Sequence, residues 1–127
     1  MLKSEDLMIG DWVEFPIGNE RIIDLPYIMG KGICASFAAS ATLFPVEVEK
    51  LEPIQLTPEI LEKNGFEKYG QRYAGIQQWV TKEGERISLV QCISDGTWGL
   101  GGDLWIESVH ELQNWLHLRK KTKEIVL

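Results

Sequence analysis

"LTPEILEKNGF" (residues 56–66) divides the chain and sets how the rest is read. Thr57 is a natural N-cap, because its hydroxyl can accept one of the orphan amides of a first helical turn. Pro58 follows at the first helical position, where its missing N–H costs nothing. Leu56 and Leu61 have the spacing of a hydrophobic staple. Gly65 can adopt the left-handed conformation that stops a helix, with Phe66 folding back after it. The spacing predicts a short helix over 58–64 and a boundary between a small β-barrel-like unit, 1–56, and a second unit, 57–127.

Before that helix, short apolar runs alternate with turn residues. "DWVEF" (11–15) and "RIIDL" (21–25) read as strands joined by a "PIGNE" turn, and "KGICASF" (31–37) and "FPVEVEKL" (44–51) supply more. Four or five short strands in so little chain suggest an SH3-like small barrel or a meander. The alanine-rich "ASFAASA" (35–41) and "ATLF" (41–44) suit a helical turn equally well.

After the helix, "YAGIQQWV" (73–80), "RISLVQCI" (86–93), "TWGL" (97–100) and "LWIE" (104–107) read as three or four antiparallel strands. Gly stands at each connection, with Asp at two of them, as tight turns favour. Ser108 with Glu111 forms a capping box that opens a final helix. Val109, Leu112, Leu116 and Arg119 follow one stripe of it, with Trp115 beside them. The fold class is therefore α+β: a small barrel or meander, then helix, three- to four-stranded sheet and helix.

Bulk numbers narrow the functions. At 127 residues, with 44% hydrophobic and 25% charged residues, the chain can form one soluble domain or two small modules without a disulfide or metal. Cys34 and Cys92 sit in apolar runs, as buried free thiols of a reducing compartment do. "MLKSEDLMIGDW" places acidic residues where a secretion signal needs an apolar core, and the 14-residue run "ICASFAASATLFPV" is too short to span a bilayer. A cytoplasmic protein without a membrane role is expected. Residues 1–56 hold four Lys/Arg against nine Asp/Glu, a balance that repels a phosphate backbone. The basic cluster Arg119, Lys120, Lys121 and Lys123 has a simpler role at a helix C-terminus, where cations favour the macrodipole.

Several residues invite a chemical reading. Gly96, Gly99, Gly101 and Gly102 resemble a phosphate loop, but "LWIE" intervenes before the helix and no lysine follows, so turns between strands explain them better. His110 and His117 stand seven residues apart, roughly 10 Å along a helix, too far to share one zinc ion. No cofactor or metal is expected. Cys34 with Asp103 and a histidine would make a small hydrolase only if geometry joined them. Glu83 and Glu85 fall in a turn and read as surface charge. Five tryptophans are many for this length and chiefly suit the filling of a small core; Trp98 and Trp105, flanking the glycines, are the two that could be partly exposed.

The order "LMIGDWVEF", "LEPIQLTPEILEKNGFEK", "WIESVHELQNWLHL" resembles a group of small uncharacterised proteins of gut-bacterial genomes, phages and mobile elements. Members run with an "RIGNYV"-like start, a "PIPLTEEWLLKFGF"-like middle and a "YVHQLQNLY"-like end. Here Ser108 stands where an aromatic usually precedes "VH", and "TKEIVL" resembles the group's "TGKEL" tail without its glycine. The resemblance implies a setting rather than a reaction, and it places His110, Gln113 and Asn114 in the group's recurring segment.

No reaction-grade constellation emerges, so the leading expectation is a non-catalytic accessory protein. It would bind a protein partner through Trp98, Trp105, His110, Gln113, Asn114 and His117. A nucleic-acid-binding accessory protein, using the barrel and the basic tail, is the alternative, and a small hydrolase the second.

Overall fold

A computed structural model of the chain describes residues 2–15, 18–37, 45–101, 104–119, 121 and 123–127. In chain order the strands are β1 (Trp12–Phe15), β2 (Gly18–Arg21), β3 (Tyr27–Ile28), β4 (Gly32–Ala35), β5 (Val46–Glu47) and β6 (Glu52–Pro53). Helix α1 (Pro58–Lys63) follows, then β7 (Phe66–Tyr73), β8 (Ile76–Thr81), β9 (Ser88–Cys92), β10 (Trp98–Gly101), β11 (Leu104–Ile106) and helix α2 (Val109–Leu118). The architecture is mixed and mostly antiparallel. The chain forms two units, Met1–Ile54 with Ser108–Trp115, and Gln55–Glu107 with Leu116–Leu127.

The first unit holds two three-stranded sheets, ordered β2-β1-β6 and β3-β4-β5. Its core gathers Leu2, Leu7, Val13, Ile22, Ala35, Phe37, Val48 and Leu51, with Leu25 and Val46 packed against them. Among the described residues no sheet closes into a barrel, which corrects the barrel expectation. Within the described part of "FPVEVEKL", 45–51, the strand spans Val46–Glu47 before a 3-10 turn, Val48–Lys50, in which the Leu51 N–H donates to the Val48 carbonyl at 3.0 Å. The sheets β2-β1-β6 and β3-β4-β5 each end in edge strands, whereas a closed barrel pairs every edge. The "ATLF" stretch and most of "ASFAASA" lie outside the described residues, as do Gly102, Asp103 and Lys120.

In the second unit, α1 begins and ends as its sequence dictates. The Thr57 hydroxyl accepts the Ile60 N–H at 3.3 Å, and Gly65 takes φ +84° just past the last turn. Asn64 adds a tie that the sequence conceals. Its amide nitrogen donates to the carbonyls of Ile60 and Val126, both at 2.8 Å, and its oxygen accepts the Val126 N–H at 2.7 Å.

Five strands follow in the order β11-β10-β9-β8-β7, one more than the upper expectation. Ala74 and Gly75 are not strand but a two-residue hairpin loop, with Tyr73 at the end of β7 paired to Ile76 and Ala74 at φ 51° before Gly75 at φ 78°. Both central residues of such a turn need positive φ, and alanine there hides the turn from a reader looking for Asn-Gly. Trp79 and Trp98 meet edge to face inside this unit, ring centroids 6.0 Å apart. Each buried indole N–H has an acceptor, Gln91 Oε1 for Trp79 and the Leu56 carbonyl for Trp98, both at 3.0 Å. Large rings and satisfied N–H groups together make this an ordered core.

Candidate functional site

Cross-strand register defines the most prominent surface of the second unit. Tyr69 pairs with Gln78, Gln78 with Val90, Val90 with Gly99, and Gly99 with Trp105. Directly opposed residues share a face, so this row crosses all five strands on one side of the sheet. At about 4.8 Å per strand it runs roughly 19 Å. The adjoining row on the same face holds Tyr73, Ile76 and Cys92. Tyr69, Tyr73, Ile76 and Trp105 are all exposed, Trp105 at 46%.

Gly99 explains how Trp105 is held. A Cβ at that position would lie 3.3, 3.3 and 3.5 Å from three consecutive atoms of the Trp105 six-membered ring. Three near-equal distances mean that the ring lies flat on the glycine backbone. One aromatic face is seated on the sheet, and nearly half of the side chain remains accessible. The glycine's use here is close approach, not turn formation.

The residues singled out from sequence separate into different environments. Trp98 is 1% exposed and belongs to the core, so of the two rings that could be partly exposed only Trp105 is. It pairs with Ile106 while Trp105 pairs with Gly99, and neighbours along a strand point to opposite faces. Gln113 accepts the Trp12 N–H at 2.8 Å and donates to the Gly10 carbonyl at 2.9 Å. Asn114 donates to the Asp6 carbonyl at 2.8 Å. These two amides bind the unit's own backbone over Asp6–Trp12 rather than facing solvent. His117 is exposed.

His110 is buried, and burial holds its ring below the ordinary histidine range despite the nearby Glu111 and Asp6 carboxylates. Its Nδ1 lies 3.1 Å from the Ser108 hydroxyl, a serine–histidine contact the sequence reading missed. That hydroxyl donates to Glu111 at 2.7 Å, and the Ser108 N–H reaches the same carboxylate oxygen at 3.2 Å. With its single proton directed at Glu111, the hydroxyl serves the helix start. The Cys34 thiol is buried, 3.7 Å from the Gly32 carbonyl, whereas Cys92 is only half-buried.

The basic tail is also engaged locally. The Lys121 N–H caps the Leu116 carbonyl at 2.9 Å, and its ammonium lies 4.0 Å from Glu85. Lys123 sits over the Phe66 ring at 5.7 Å. An open cleft of about 260 Å³ in the first unit is lined by Leu2, Lys3, Lys31, Ile33, Glu47, Val48 and Glu49 and includes none of the candidate residues.

Sequence could not have revealed the Tyr69–Trp105 row, because it exists only once five strands are paired in register. Asp11 was missed for a different reason: nothing in "IGDW" marks a carboxylate as buried. No family model matches the chain, and no curated protein or solved structure does either. Among the described residues no helix is long and apolar enough to cross a membrane.

Proposed function

We propose that this chain is a non-catalytic interaction protein that engages another protein through the open face of its five-stranded sheet, with Trp105 as the anchor. The flat seating of Trp105 on Gly99 carries this reading. Tryptophan and tyrosine dominate the energetics of protein contacts, and a ring already fixed in place loses little freedom on binding. Tyr69 and Ile76 extend the apolar contact on either side of Gln78. The resemblance to phage and mobile-element proteins makes an accessory role in the bacterial cytoplasm the natural setting.

A photo-crosslinking residue at Gln78, in the middle of the row, tests this in cells of the source organism. One discrete cross-linked protein is expected from position 78 and none from Glu83 in the β8–β9 turn. Trp105→Ala should remove that product, and Gly99→Ala, which unseats the ring by a few tenths of an ångström, should weaken it. Equal products from both positions, or a product indifferent to Trp105→Ala, would refute the assignment.

A further inference from the structure

The first unit carries a second surface, independent of the five-stranded sheet. Its four Lys/Arg are Lys3, Arg21, Lys31 and Lys50, set among ten Asp/Glu. Arg21 is engaged within the unit, its Nε donating to the Gly10 carbonyl at 2.8 Å. The other three gather at the cleft of about 260 Å³: Lys3 and Lys31 line it, and Lys50 lies 3.8 Å from the carboxylate of Glu47, which lines it too. Glu49 completes the charged lining, and Leu2, Ile33 and Val48 supply the apolar part. An apolar hollow bordered by both signs of charge fits an apolar knob that carries charges of its own.

Such a knob stands beside it. The turn 29–31 joins β3 to β4, with the Lys31 N–H donating to the Ile28 carbonyl at 2.9 Å. At this tip Met29 is 90% exposed, and Tyr27 on β3 is 71% exposed. Turn tips ordinarily carry polar residues, whereas methionine is a flexible apolar side chain suited to filling an irregular hollow. Tyr27 pairs with Ile33, and directly opposed residues share a face, so the exposed ring is continuous with the lining of the cleft.

We propose that the occupant of the cleft is a second copy of this chain, in a two-fold pair in which the Met29 side chain of each copy enters the cleft of the other. Knob and hollow side by side on one surface are what an isologous contact needs, because each copy then gives and receives the same element. Charge follows the same symmetry. The strand order β3-β4-β5 puts Lys31, in the β3–β4 turn, on one side of Ile33, and Glu47 and Glu49, on β5 and in the turn after it, on the other. A two-fold axis near Ile33 therefore brings Lys31 of each copy to Glu49 of the other, so the ion pair forms twice. The gathered lysines also offset the repulsion between two acidic units.

A contact this small makes a weak, concentration-dependent pair, so sedimentation equilibrium of the full chain at up to about 1 mM measures it. Reversible dimers are expected. Met29→Asp should raise their dissociation constant at least about tenfold. Lys31→Glu and Glu49→Lys should each do the same, because each sets like charges together at two symmetric places. The double variant, Lys31→Glu with Glu49→Lys, should restore the dimer. All three positions are exposed, so the variants keep the fold. In a mixture of separately labelled copies, the Met29 methyl should show nuclear Overhauser contacts to Ile33 and Val48 of the other copy. A chain that stays monomeric throughout, a dimer indifferent to Met29→Asp, single reversals that the double variant does not repair, or a dimer without those methyl contacts would each overturn the proposal.

Discussion

In the first unit the strands are two to four residues long and half-buried amides do much of the joining; in the second, a five-stranded ladder encloses two tryptophans and leaves one sheet face open. Charge divides the same way. The first unit holds four Lys/Arg against ten Asp/Glu, the second nine against nine. Short strands present few ladder bonds and little apolar area, so Gln113, Asn114 and Asp11 take over work that the second unit assigns to its ladder and rings. The difference teaches where each unit is vulnerable: the first to loss of one amide, the second to loss of one ring.

The contrast can be broken at its strongest point. Trp98→Ala removes a buried ring and leaves the Leu56 carbonyl without its indole donor, and should cost about 3–5 kcal/mol in urea unfolding. Gln113→Ala strips the Trp12 N–H of its acceptor and should cost about 1–3 kcal/mol, with faster exchange at that amide. A Gln113 variant as stable as the parent would show that the first unit does not depend on its polar ties.

His110 sharpens the comparison through pH. Its ring is held below the ordinary 6.5, so the unfolded chain takes up the proton first and stability falls as pH drops below that value. His110→Gln should flatten this acid-side loss, measured as the slope of unfolding free energy between pH 6.5 and 5. The smallest effect belongs to the second unit: Ala74→Gly relieves a positive φ at the β7–β8 turn and should raise stability by about 0.5–1 kcal/mol in thermal unfolding.

Local rules made part of this fold legible. Thr57, Pro58 and Gly65 announce α1 because capping depends only on neighbouring residues, and Ser108 with Glu111 announces α2 for the same reason. β7 was not legible: "FEKYGQRY" is an edge strand, polar on most positions and interrupted by a bulge where Gly70–Arg72 oppose Gln77 alone. It is held by β8 across the hairpin rather than by its own pattern, with the Gln77 amide donating to the carbonyls of Tyr69 and Gly70 at 3.3 and 3.4 Å. Of the candidate site, Trp105 was identified and its setting was not, because the seat beneath it is a glycine that a sequence reader assigns to a turn. Gln113 and Asn114 entered as residues of the recurring segment and as partner-binding candidates; that they grip Gly10, Trp12 and Asp6 depends on contacts about a hundred residues apart.

The crossed indoles of Trp79 and Trp98 give the native chain an optical signature of its own. Two rings 6.0 Å apart and inclined at 65° are close enough for their excited states to couple, so an exciton band in the far-ultraviolet circular dichroism should accompany the intact core and vanish on melting. Both are shielded from dissolved quenchers such as iodide, whereas Trp105 is open to them. Intrinsic emission can therefore report, without any label, when something settles on the sheet.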